Sequence, residues 1–155
     1  MMSEMETITS SATGVTFNLP EANCKSRNII YCAECFLCNK QYTGKSSNKL
    51  HTRIIGHRSH VGYTDENFIN ESDEKTLAEH LKEVHNFDSV DHFNSNYSFT
   101  VLEVSPRNLD QSEQRWANKL MTLRPFGLNK EKPGGVSSST SLMCRRLLDL
   151  RIQRL

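Results

Sequence analysis

Two kinds of side chain in this sequence can do chemistry, and both crowd around the stretch from Asn28 to Arg58. Cys32, Cys35 and Cys38 follow one another at C-x-x-C spacing, and His80 and His85 stand further along. Zinc takes thiolate and imidazole ligands, four at a time in a tetrahedron, and its structural sites are closed. Cys35 and Cys38 on a tight knuckle, with His80 and His85 at the end of a helix, supply such a set. Cys32 is an alternative ligand, because Cys32-x-x-Cys35 is an equivalent pair. The gap from Cys38 to His80 far exceeds the roughly 12 residues of a ββα finger. An ion held here would tie a helix to a pair of strands rather than build an independent DNA-reading finger.

Tyr31, Tyr42, Arg53, His57, Glu113 and Asn129 suit a second chemistry. Hydrolysing a phosphodiester takes an activated water, charge stabilisation on the phosphate and help for the leaving oxygen. The planar fork of Arg53 fits a phosphate. Glu113 can hold a hard cation, Mg²⁺ or Mn²⁺, with waters and substrate oxygens completing its shell. A phenol with its usual pKa of about 10 is a poor base unaided, so Tyr31 would need a nearby cation. Arg53 and His57 are four residues apart and share a helix face. Lys45 is a further phosphate contact to consider. Every one of these groups also has an ordinary reading: strand tyrosines, a surface ion pair for Arg53, a solvated Glu113, a turn asparagine, two surface histidines on an amphipathic helix. His51, His60 and His92 fit no pattern.

The elements that would position these groups follow from periodicity and punctuation. Asn28 to Cys32 reads as a short apolar strand, Cys35 to Lys40 as a turn, and Gln41 to Gly44 as the returning strand. Ser46 or Ser47 would cap the next helix, with Leu50, Ile54 and Val61 on its apolar stripe. After a loop from Gly62 to Glu71, Ser72 or Asp73 would cap a helix running to about His85, with Asn86 as its stop. Phe87 to Asn96 reads as irregular. Tyr97 to Val104 is β-branched and aromatic throughout and is the clearest strand. Asn108 and Gln111 suggest a capped helix from Leu109 to about Leu123, burying Leu109, Trp116, Leu120 and Leu123, with Pro125 beyond it. Residues 1–27, rich in Ser, Thr, Glu and Asn, read as a disordered leader or linker. Residues 131–155 read as a Gly/Ser-rich linker followed by a basic helix. The fold class is α/β of the α+β kind: a small antiparallel three-stranded sheet flanked by helices.

With 155 residues, 36% of them hydrophobic, one modest domain with tails is expected. A lean core of this size commonly needs a staple such as a metal. The net charge of +1 carries no signal for a polyanion, but its distribution does. Phe36 to Thr64 contains no acid and five bases, at Lys40, Lys45, Lys49, Arg53 and Arg58. An ordinary solvated helix face is the alternative. Five cysteines is an odd number, and Met1 to Ser11 lacks the apolar core of a secretory signal. A reducing, intracellular setting therefore favours metal over disulfides. No stretch approaches a membrane span.

In order along the chain, these motifs resemble the GIY-YIG nuclease family. Ile29-Ile30-Tyr31 stands for the first signature, with isoleucine in place of glycine, and Tyr42-Thr43-Gly44 for the second. Arg53 and His57 match an R-x-x-x-H helix, Glu113 with its following aromatic Trp116 matches the metal-binding glutamate, and Asn129 ends the domain. The resemblance covers about Asn28 to Asn129. The cysteines between the signatures and the later His80 and His85 look most like the endonuclease domain of Penelope-like retroelements. That likeness favours Cys35 and Cys38 as the zinc pair, since they directly precede Asn39-Lys40-Gln41-Tyr42. It implies Tyr31 as general base, Tyr42 and His57 as positioning groups, and Asn129 as a residue that orders the metal site. It implies a magnesium-dependent enzyme that nicks target DNA to prime reverse transcription, partnered by a reverse transcriptase domain or retroelement RNA and nuclear in a eukaryote. The rival expectations are a zinc-stapled nucleic-acid-binding module that does not cut, and a redox or interaction protein built on the cysteines.

Overall fold

A computed structural model describes residues 6–62 and 75–130. Its centre is the run Ile29–Cys35 (β3), apolar at nearly every position, as a strand buried on both faces should be. It is flanked by Gln41–Ser46 (β4) and Tyr97–Val104 (β5), both antiparallel, in the order β4-β3-β5. Strand alternation then splits β3 between two cores. Ile29, Tyr31, Ala33 and Cys35 face one cluster, with Leu50, Leu77, Leu81 and Phe93. Ile30 and Cys32 face the other, with Leu102, Trp116 and Leu120. A register shift against β5 falls between Ile30 and Tyr31.

Three helices supply the first cluster: α1 (Leu50–Arg58), α2 (Thr76–His85) and α3 (Val90–Asn96). The second cluster is closed by α4 (Leu109–Leu120). The expected three-stranded antiparallel sheet between helices is therefore present. Asn108 caps α4 through its side chain, which accepts from Gln111 N at 3.1 Å. Asn86 ends α2 in the left-handed conformation, φ 60°.

Several local expectations do not hold. The leader expected to be disordered contains a hairpin, β1 (Thr7–Thr9) with β2 (Thr16–Asn18). It docks on α4: Ile8 is buried, Phe17 meets Trp116 edge-on at 5.8 Å, and Ser10 Oγ donates to Leu120 O at 2.7 Å. Its strands are too short to show periodicity, and its hydroxyl-rich composition looks like linker, yet one of those hydroxyls, Ser10, makes a docking bond. Phe87 to Asn96 is not irregular throughout, because Ser89 caps the short α3, its Oγ accepting from His92 N at 3.2 Å. His92 is a structural residue there, stacked on Phe87. Neither Ser46 nor Ser47 caps α1. Lys49 occupies that position without a side-chain bond, while Ser46 Oγ accepts from Asn48 N. Helix α4 stops at Leu120, short of Leu123, because Met121 turns left-handed with φ 52°. Ser72, Asp73 and the C-terminal linker and helix over 131–155 lie outside the described residues. Among the described residues, no helix is long and apolar enough to cross a membrane.

Candidate active site and metal centre

Tyr31 and Gly44 are cross-strand partners. A Cβ on Gly44 would lie 2.4 Å from Tyr31 Cζ, so glycine is what lets the phenol ring lie across β4. The ring is fully buried among Tyr42, His57 and Phe99. Its hydroxyl lies 2.6 Å from His57 Nε2 and accepts from Arg53 Nε at 3.2 Å. Both partners come from α1, where their four-residue spacing aims them at one point. Burial pushes the Tyr31 phenol up to about 12, against the pull of the Arg53 charge and its hydrogen bond. The Glu113 carboxylate adds to the rise, while a hydrogen bond with Tyr42 opposes it. The Tyr31 hydroxyl thus sits in the fields of both Arg53 and Glu113, which the sequence places far apart.

Glu113, little exposed, comes from α4 with Asp110 one turn earlier. Lys45 joins them: its ammonium is ion-paired with Asp110 and lies 3.6 Å from Glu113 Oε1. Burial works against that charge, but Asp110 and Glu113 outweigh it and hold the Lys45 amine above its ordinary value. Lys45, Asp110 and Arg53 line an open groove of about 690 Å³ together with Asn28, Asn48 and Arg107. Asp110 and Arg107 escaped the sequence reading. The signal for Asp110 was its i, i+3 relation to Glu113. Arg107 lay in a loop with no pattern.

The amide of Asn129 is used up within the fold. Its Oδ1 accepts from Thr43 N at 2.9 Å and its Nδ2 donates to Thr43 O at 2.9 Å. The Thr43 side chain is held in turn, accepting from Thr122 Oγ1 at 3.0 Å. Asn129 is thus a positioning residue that fixes β4 between Tyr42 and Gly44. The turn that delivers it depends on Gly127, where a Cβ would lie 2.3 Å from Thr122 O.

At the other end of β3, Cys35, Cys38, His80 and His85 gather with all ligand atoms within 4.8 Å of one another. Cys35 N–H donates to Lys40 O at 3.0 Å and closes the knuckle. The distance is 3.3 Å from Cys38 Sγ to His80 Nε2, 3.6 Å from Cys35 Sγ to His85 Nε2, and 3.1 Å between the two Nε2 atoms. Zinc bonds of about 2.0 to 2.3 Å in a tetrahedron imply edges of about 3.3 to 3.8 Å. The donor set and its spacing therefore fit a metal such as zinc. Burial, then the charges of His85, Lys40 and Arg124, push His80 down to about 4, keeping it in the neutral form that ligates. Burial raises the Cys35 thiol.

Cys32 does not serve as an alternative ligand. Strand β3 runs on to Cys35, so residue 32 faces the opposite core, against Trp116 and Leu120. Burial there holds its thiol well above the usual range, as expected of an inert structural cysteine.

No family model matches this chain, and neither does any curated protein or solved structure.

Proposed function

We propose that the chain is a divalent-metal-dependent DNA endonuclease of the GIY-YIG kind, clipped together by a structural zinc at Cys35, Cys38, His80 and His85. The observation that carries this reading is the Tyr31 hydroxyl, held between Arg53 and His57 with the Glu113 charge acting on it. Its surroundings support it: the adjoining groove presents Lys45, Arg53 and Arg107 among amides and hydroxyls, as suits a phosphate backbone.

The chemistry follows from the contacts. A phenol raised to about 12 is protonated at neutral pH, so Tyr31 acts as a relay. Its hydroxyl passes its proton to His57 Nε2 as it takes one from the attacking water. The hydroxide so formed attacks phosphorus, and the bond to the leaving oxygen breaks. Arg53 stabilises the charge on the phosphate. Glu113 is the residue that would hold magnesium or manganese, which suits a single carboxylate beside an open groove. When bound, the cation neutralises charge on the phosphate and leaving oxygen. In a retroelement the nick would prime reverse transcription, with a reverse transcriptase domain or element RNA as partner.

A nucleic-acid-binding module that does not cut is the competing reading, favoured by the complete burial of Tyr31. A nicking assay on supercoiled plasmid with Mg²⁺ or EDTA separates the two. Glu113→Gln and Tyr31→Phe should each slow nicking by at least about 100-fold while metal content at the knuckle is unchanged. A parent protein that leaves the plasmid intact, or a Glu113→Gln protein that nicks like the parent, refutes the endonuclease reading.

A further inference from the structure

The geometry points to a second nucleic-acid contact: Phe36, at the tip of the metal knuckle, is a stacking platform for an unpaired base, with Lys40 and Arg124 as its phosphate contacts. Among the described residues Phe36 is the one exposed aromatic, 58% exposed, with Leu37 beside it at 45%. The backbone beneath it is fixed. Asn39 N–H donates to Cys35 O at 2.7 Å, and Phe36 N–H donates to Asn96 O at 2.8 Å, which ties the tip to the end of α3. A ring presented on such a turn is placed before any ligand arrives, so stacking on it costs little ordering.

Charge selects the occupant. Two thiolates and two imidazoles around a divalent ion carry no net charge, so neighbouring side chains set the sign. Lys40 closes the knuckle and is exposed. Arg124 comes from the turn that Leu128 N–H pins to Gln41 O at 2.9 Å, next in sequence to Lys40. The Glu79 carboxylate on α2 is engaged by Lys130. An exposed apolar ring on a knuckle that Lys40 closes, with the Arg124 turn pinned at Gln41, suits a base and its phosphates better than an apolar protein face.

The inference rests on the proposal that the chain binds nucleic acid, and it adds a class of substrate. Tyr31 and Cys35, the residue before Phe36, are four residues apart on β3, roughly 13 Å along the strand. The favoured substrate is therefore a duplex with an unpaired stretch close to the phosphate held by Arg53.

Fluorescence anisotropy on the full, metal-loaded chain tests this with two labelled probes, a closed duplex and the same duplex with an unpaired flank. Phe36→Ala should weaken binding to the flanked probe by roughly 5- to 100-fold, leave the closed duplex nearly unchanged, and retain its metal, while Phe36→Tyr should restore affinity. Lys40→Ala and Arg124→Ala should each reduce the salt dependence by about one counterion. Equal binding of the flanked probe by parent and Phe36→Ala overturns the platform, even if the parent nicks plasmid. If the parent also sediments as a dimer that Phe36→Ala dissolves, the patch is a contact between copies and the inference is equally overturned. A parent that binds neither probe overturns both this inference and the endonuclease reading.

Discussion

Strand β3 joins two sites of opposite character. At its Cys35 end, two thiols and two imidazoles point their donor atoms at one another within 4.8 Å. At its Tyr31 end the groups already satisfy each other: Tyr31 with His57 and Arg53, Lys45 with Asp110, Asn129 with Thr43. The first arrangement is one that an ion would stabilise. The second stands without one and yields a partner only to a ligand that competes for it. The clip and the chemistry are thus separable although one strand carries both.

Metal removal is the strongest test of that contrast. Structural zinc sites contribute on the order of 10 kcal/mol of apparent binding free energy, and this one ties α2 to the sheet. Chelation, or Cys38→Ser, should lower the melting temperature by more than about 10 °C, read by circular dichroism. An unmoved melt would erase the difference between the two ends.

A smaller effect is expected at the self-contained end. Gly44→Ala forces a methyl into the Tyr31 ring and should cost about 1–3 kcal/mol, with a loss of nicking. Gly56 in α1 is the control, since a Cβ there meets only Arg53 Nη1 at 3.8 Å. Gly56→Ala should stabilise the protein by roughly 0.5–1 kcal/mol. Denaturant titrations of both variants check the pair, and equal effects would mean that the space above residue 44 does not matter.

The smallest effect is a pair of opposite pH windows in the metal-free protein. His80 is lowered from 6.5 to about 4, so the unfolded chain binds the proton more readily. Its contribution is complete above about 6.5 and is lost as pH falls toward 4. Tyr31 is raised from 10.0 to about 12, so the folded chain keeps the proton longer. That contribution is complete below about 10 and is lost as pH rises toward 12. Melts across pH should show acid-side loss that His80→Gln removes and alkaline-side loss that Tyr31→Phe removes. A single loss common to both variants would contradict the separation.

The sequence carried much of this because strong local signals mark the parts. The β-branched run Tyr97 to Val104, the left-handed stop at Asn86 and the cap at Asn108 depend on near neighbours, and they appear as read. A thiol and imidazole donor set was legible from type and spacing, but the choice of Cys35 and Cys38 over Cys32 came only with the resemblance. What failed depends on distant contacts. The N-terminal hairpin is ordered by Trp116 and Gln41, both remote in sequence. Cys32 was left open between a free buried thiol and a substitute ligand because the first strand was ended three residues too soon. Once the strand is carried to Cys35, alternation alone sends Cys32 to the far core. Asn129 was read as ordering the cation site, but its amide is taken up by the Thr43 backbone, a pairing with no local signature.

That Asn129 amide has a consequence beyond catalysis. Strand β4 forms the outer rim of the sheet, where bare peptide groups invite a foreign strand to add on. By presenting one C=O and one NH₂ to Thr43, the side chain imitates a neighbouring peptide, while Leu128 N–H takes the Gln41 carbonyl beside it. Part of the rim is thereby taken up from within, at Gln41 and Thr43, where an added strand would otherwise pair.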